Sequence, residues 1–208
     1  MKKILALQIS FLIVFSGVGT GLILSTDVYD DIHRKIVEEL CLSCIKLKPD
    51  TKMEYIFETA NKNPHPDFVL ENLSKGPIFI TYRIDFCPGC DKIEEDLIDI
   101  LNISFGPYDV FYKTIKFNNS NITFIHINTN QVEEGGELYN SRFIYDIVGD
   151  EGNPMLVFIT YGYNHGFIEP SYATTYVLKE KPENHQEELI SYISESIYLY
   201  NTHKKAVG

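Results

Sequence analysis

Tryptophan is absent from the 208-residue chain, and methionine (three) and cysteine (four) are scarce. Aromatic packing therefore falls to 14 Tyr and 13 Phe. Four cysteines are too few for a disulfide-stapled miniature, and a chain of this length buries a core without such staples. Basic residues are also in deficit: 18 Lys and Arg stand against 29 Asp and Glu, a net charge of −11. That balance excludes a nucleic-acid binder working by phosphate neutralisation and a basic patch held on anionic lipid. The six histidines, at 33, 65, 126, 165, 185 and 203, form no pair at metal-ligand spacing and read as loop or solvent histidines. The acidic stretch Glu133-Glu134-Gly135-Gly136-Glu137 lacks the spacing of a calcium loop. No internal repeat and no low-complexity segment is present, which excludes solenoid and disordered architectures.

What is present begins at the N-terminus. Lys2 and Lys3 precede residues 4–24, which carry no charge. As a helix that stretch spans about 32 Å, enough to cross a bilayer core. Two readings compete. In one, residues 4–24 are an uncleaved anchor with the lysines held inside. In the other, Ile4 to Phe15 is the apolar part of a secretory signal, and Gly17, Gly19 and Gly21 permit cleavage. Both place the rest of the chain outside the cytoplasm, membrane-anchored or secreted, where thiols can be disulfides. Four Asn-x-Ser/Thr triplets start at Asn72, Asn102, Asn118 and Asn121, the last two in a turn-like stretch that suits glycosylation better.

The expected organisation has four parts: the anchor or signal (1–24), a helical neck (25–60), a main domain (61–200) and a short tail (201–208). In the neck, Val28, Ile32, Ile36, Val37 and Leu40 form one apolar stripe before Cys41-Leu42-Ser43-Cys44. Met53 to Phe57 reads as a short strand, and residues 61–66 as a linker. Beyond it, Asp67 to Leu73 reads as a helix. Ile78 to Tyr82 is a continuous apolar and β-branched run, the mark of a buried central strand. A helix carrying Ile93, Leu97, Ile98 and Leu101 follows, with Glu94-Glu95-Asp96 expected on its solvated face. Val110 to Phe117 and Ile122 to Ile127 read as a hairpin with a longer loop. A helix over Glu137 to Val148, strands over Met155 to Thr160 and Tyr172 to Leu178, and a terminal helix over Pro182 to Tyr200 complete the pattern. The terminal helix is expected to turn Leu189, Ile190, Ile193, Ile197 and Tyr198 inward. Strands alternating with helices predict an α/β fold with a mixed sheet.

Cys87-Pro88-Gly89-Cys90 sits where the buried strand hands over to an amphipathic helix. Pro88 suits the first helical turn, where a missing N–H costs nothing. The free N–H groups there and the helix dipole stabilise a thiolate on Cys87. Cys90, one turn further in, can reach back to it. Disulfide exchange needs such a pair: an attacking thiolate and a second thiol that resolves the mixed disulfide. A static disulfide, or a four-thiolate zinc site shared with Cys41 and Cys44, are the competing readings. Cys41 and Cys44 end a helix, where the dipole disfavours a thiolate. They read either as an auxiliary disulfide shaping the neck or as a relay pair for Cys87 and Cys90.

With strand Ile78–Tyr82, Cys87-Pro88-Gly89-Cys90, the acidic helix behind it, and Asn153-Pro154 before strand Met155–Thr160, the chain resembles the thioredoxin-like superfamily. The resemblance spans Phe68 to Tyr200; residues 64–77 also resemble those of small extracytoplasmic, membrane-anchored members. It implies a thioredoxin-like mixed β-sheet flanked by helices, preceded by the membrane or signal helix. It further implies that Cys87 attacks, that Cys90 resolves, and that Pro154 forms a cis peptide leaving the Asn153 backbone free to bind a substrate. Phe86 and Pro88 would line the same site. The chain departs from the family pattern in three places: Phe86 replaces the usual Trp, Thr81 stands where a buried carboxylate is usual, and the central pair is Pro-Gly rather than Gly-Pro. The expected function is a thiol–disulfide oxidoreductase acting on protein thiols or disulfides, with a membrane electron-transfer reductase as candidate partner. No organic cofactor is needed, because the cysteine pair carries two electrons. The alternative is a thioredoxin-like binding or assembly module without redox turnover.

Overall fold

In the computed structural model the described residues are 51–149, 152–176, 178 and 180–204. The chain divides into two units, Met1–Asp50 and Thr51–Gly208. The first lies outside the described residues, and with it the anchor or signal, the helical neck, Cys41 and Cys44.

The elements of the second unit run α1 (Asp67–Leu73), β1 (Ile78–Arg83), α2 (Pro88–Leu101), β2 (Phe111–Phe117), β3 (Ser120–Asn128), α3 (Glu137–Tyr145), β4 (Met155–Asn164), β5 (Phe167–Thr175) and α4 (His185–Lys204). The five strands make one mixed sheet in the order β2-β3-β1-β4-β5. β1 is central; it pairs parallel with β3 and antiparallel with β4. The outer pairs, β2 with β3 and β4 with β5, are antiparallel hairpins. The described unit is therefore of the α/β class.

Every residue of β1 is buried, as expected of a strand covered on both faces. Its alternation divides the core. Phe79 packs with Phe124, Phe158, Leu97, Leu189 and Ile193, on the face carrying α2 and α4. Ile78, Ile80 and Tyr82 pack with Val69, Ile125, Tyr145 and Tyr172 on the opposite face. Phe79 stacks on Phe158 with ring centroids 4.5 Å apart and planes 7° apart, a pairing worth about 1 kcal/mol beyond its buried area. By the same alternation Thr81 and Arg83 point with Phe79 toward α2, and so does His126, which lies opposite Thr81 in the parallel register.

Several sequence expectations shift. The β2–β3 connection is a two-residue turn at Asn118-Asn119, both with positive φ (47° and 64°), rather than a longer loop; asparagine tolerates that geometry and a tight hairpin requires it. A second tight turn, His165-Gly166 with φ of 46° and 92°, carries β4 to Asn164 and starts β5 at Phe167. The last strand is thus earlier in the chain than Tyr172 to Leu178. α3 stops at Tyr145 instead of Val148. Met53 to Phe57 supplies only one bridge, Ile56 to Tyr172, although Met53 enters the core. On α4, Ile190 and Tyr198 face outward, and Tyr192, Leu199 and Tyr200 are buried in their place. The acidic run on α2 is also reversed: Glu94 and Asp96 are buried, 7% and 4% exposed, and only Glu95 is solvated.

Candidate redox site

α2 begins at the cysteine pair. Cys87 is its N-cap, with extended backbone; Pro88 occupies the first turn; the Cys90 backbone N–H donates to Cys87 Sγ at 3.2 Å. The local reason is compositional. A proline that lacks an N–H and a capping sulfur both suit a helix start, where backbone donors are otherwise unpaired. Behind them Cys90, Ile93, Leu97 and Leu101 form the buried stripe that holds the helix on the sheet. Asn102 closes it in the left-handed conformation (φ 50°, ψ 54°), its N–H donating to Ile98 O.

Cys87 and Cys90 form a disulfide, with Cα atoms 5.2 Å apart. Cys90 is 1% exposed and Cys87 8%. Both residues are buried, Cys90 the more deeply, and Cys87 as N-cap receives the helix N-terminus and its positive dipole end.

Three neighbours frame it. Phe86 is 90% exposed, and its φ is +55°. A bulky side chain in the left-handed region is a true outlier. It persists because the preceding residue is clamped: Asp85 N–H donates to Asn130 Oδ1 at 2.8 Å, and Asp85 Oδ1 accepts from Asn128 Nδ2 at 2.8 Å. Asn128, fully buried, also donates to Pro107 O. The Asn153–Pro154 peptide is cis. A Cβ added to Gly89 would meet Pro154 Cδ at 3.5 Å, so Pro154 lies directly over the Pro-Gly turn. The structure therefore brings Phe86, Cys87, Pro88, Cys90 and Pro154 to one place. Asn153, next to Pro154, is half-buried.

Where the first turns of α2 meet β1 and β3 lies a buried polar cluster that residue spacing alone does not assemble. Arg83, 3% exposed, donates from Nη1 to Glu94 Oε2 at 2.5 Å and from Nη2 to Asp91 Oδ1 at 3.0 Å. Thr81 Oγ1 and His126 Nδ1 are 2.9 Å apart. His126 Nδ1 is also 3.9 Å from Glu94 Oε1. Burial pushes the Glu94 carboxyl up to about 7, outweighing the pull of Arg83, and Asp91 pushes in the same direction as burial. Burial, with Arg83 second, pushes His126 down to about 4, so its imidazole is neutral at neutral pH. The signal for Glu94 was present: it lies four residues after Cys90 on one helix, and so on the same face. Reading 94–96 as one charged run hid it.

Among the described residues no group of three or more His, Cys, Asp and Glu side chains converges on a metal site, and no helix is long and apolar enough to cross a membrane. Compared with protein-family models, with curated proteins and with solved structures, the chain matches none.

Proposed function

We propose that the chain is an extracytoplasmic thiol–disulfide oxidoreductase of thioredoxin-like fold, exchanging disulfides with protein substrates through Cys87 and Cys90. The observation that carries the reading is the disulfide at the N-cap of α2, with Cys87 Sγ accepting a backbone N–H and Cys90 the more deeply buried of the two residues. The central β1 leading into the cysteine pair, and Pro154 against Gly89, support the thioredoxin-like assignment. The extracytoplasmic placement rests on residues 1–24 of the sequence.

In the oxidising direction a substrate thiolate attacks Cys87 Sγ, and the Cys87–Cys90 bond breaks with its electron pair on Cys90. A second substrate thiolate then displaces Cys87 from the mixed disulfide. The substrate dithiol is oxidised and the cysteine pair is reduced, two electrons in all, with two protons passing from substrate thiols to enzyme thiols. The reducing direction is the reverse. Phe86 offers an exposed apolar contact beside the sulfur, and the backbone of Asn153 an edge for an extended substrate segment.

The test is a redox equilibrium of the full chain in glutathione buffers, each cysteine pair read by alkylation and mass spectrometry. Cys90→Ser is run beside it. Interconversion of Cys87–Cys90 at a defined potential, with the variant trapping mixed disulfides through Cys87, supports the reading. A pair locked across the whole range, with partners retained after both thiols are replaced, converts the chain into a binding module.

A further inference from the structure

Resolution of a mixed disulfide obliges Cys90 to lose a proton, and Cys90 is 1% exposed. Bulk water is therefore a poor direct acceptor. We infer that Glu94, held by Arg83, takes the Cys90 proton when the mixed disulfide is resolved and returns it in the reverse direction. This inference rests on the oxidoreductase reading and names how its buried thiol is served.

The geometry carries it. Cys90 and Glu94 are one turn apart on α2, and residues at that spacing have Cβ atoms about 5–6 Å apart. Helical side chains lean toward the N-terminus, so the Glu94 carboxyl leans over the turn that holds Cys90. Its position is fixed from β1, because Arg83 engages Oε2 at 2.5 Å while its other amino group engages Asp91. Oε1 stands 3.9 Å from His126 Nδ1. The charged and titratable groups facing Glu94 are Arg83 on β1, His126 on β3 and Asp91 on α2 itself. His126 is neutral near pH 7 and so leaves the charge of the cluster to Arg83 and the two carboxyls. Burial brings the Glu94 carboxyl to about 7, where it can both accept and release a proton in the neutral range.

The step balances. Cys90 thiol, a Cys87–substrate mixed disulfide and Glu94 carboxylate give the Cys87–Cys90 disulfide, a substrate thiolate and Glu94 carboxylic acid. The bond between the two enzyme sulfurs forms, and the bond from Cys87 to substrate breaks with its electron pair on the substrate sulfur. The proton moves from Cys90 to Glu94 and then to water.

The experiment uses the reduced full chain mixed with glutathione disulfide, quenched in acid, with formation and resolution of the mixed disulfide timed separately from pH 5.5 to 8.5. Glu94→Gln should slow resolution by about ten-fold or more at pH 7, flatten its rise through neutrality and let the mixed disulfide accumulate. Formation at Cys87 should keep its wild-type rate, and Glu94→Asp should restore part of the resolution rate. Resolution in Glu94→Gln with the wild-type rate and pH profile overturns the inference. A wild-type chain that forms no mixed disulfide takes down the oxidoreductase reading itself, a distinguishable failure. Should Glu94→Gln not fold, carboxyl-labelled wild-type protein decides by carbon NMR. A Glu94 titration that differs between the oxidised and reduced forms supports the inference, and identical curves overturn it.

Discussion

Phe86 shows how far one residue can be set against its own backbone. A left-handed conformation costs a non-glycine residue about 1–2 kcal/mol, and at 90% exposure the ring recovers almost nothing by burial. Such strain persists at sites of function, where surrounding contacts over-determine it. Phe86→Asn removes the ring and supplies a side chain that tolerates positive φ. The variant should be more stable than wild type by about 0.5–1 kcal/mol in denaturant titration. It should also turn over protein disulfides less efficiently, by about ten-fold in kcat/KM, because about 1.4 kcal/mol of contact is lost. Reduction by dithiothreitol, which needs no such contact, should be unchanged. A variant that loses stability removes the strain argument; one that keeps full activity on protein substrates removes the binding role.

Glu94 and His126 make opposite contributions to the pH dependence of folding. Glu94 titrates higher in the fold than its ordinary 4.5, so the folded state holds this proton more tightly. The stability it contributes is complete below about 4.5 and is lost as pH rises through about 7. His126 titrates lower than its ordinary 6.5, so the unfolded state takes up this proton first. Its contribution is complete above about 6.5 and is lost as pH falls toward about 4. Between those limits the two slopes oppose. Oxidised Glu94→Gln should therefore grow more stable as pH rises from 5 to 6.5, and His126→Gln less stable, relative to wild type. Denaturant midpoints at three pH values check both. Parallel slopes in all three proteins would sink the assignment.

At the scale of elements, the sheet depends on close approach where α1 returns into β1. A Cβ at Gly76 would lie 2.3 Å from the backbone oxygen of Asn121, at the start of β3. Neither the strand oxygen nor the turn can give way cheaply, so Gly76→Ala should cost about 1–3 kcal/mol. An unchanged thermal midpoint would show that the turn adapts. This contact also marks what could be read in advance. β1 announced itself through an unbroken apolar run, and α2 through Pro88 and its i, i+3, i+4 stripe, because both signals are local. The hairpin turns were shifted because Asn118-Asn119 and His165-Gly166 specify conformation by positive φ, which a polar stretch does not advertise. The cysteine pair was legible for the same reason as α2. The Arg83–Glu94–His126 cluster was not, since three charged or polar residues from three elements meet only once the parallel register of β1 and β3 is known. The clamp on Asp85 is hidden for the same reason, since its partners Asn128 and Asn130 come from the end of β3 and the loop beyond it.

For the molecule as a whole, net charge outweighs any single pair. The chain carries −11, and Asp91, Glu95, Glu133 and Glu134 are exposed on α2 and on the loop between β3 and α3. Both segments leave the same end of the sheet, because β1 and β3 run parallel, and the loop holds Asp85 beside the disulfide. Lys92 on α2 offsets part of this charge, and a dithiol or disulfide approaching Cys87 still meets a net negative field. Opposite charge raises encounter rates and like charge lowers them, an effect that fades as salt shortens the screening length from about 30 Å at 0.01 M to about 3 Å at 1 M. The reduced full chain should accordingly react faster with cystamine, a dication, than with anionic glutathione disulfide at low salt. The ratio of the two rates should fall toward its intrinsic value as salt rises. Glu133→Lys together with Glu134→Lys, two exposed changes away from the cysteines, should lower the ratio at 0.01 M salt and leave it unaltered at 1 M. A ratio insensitive to salt would mean that the field does not reach the sulfur. Recognition would then rest on Phe86 and the Asn153 backbone, which act only at contact.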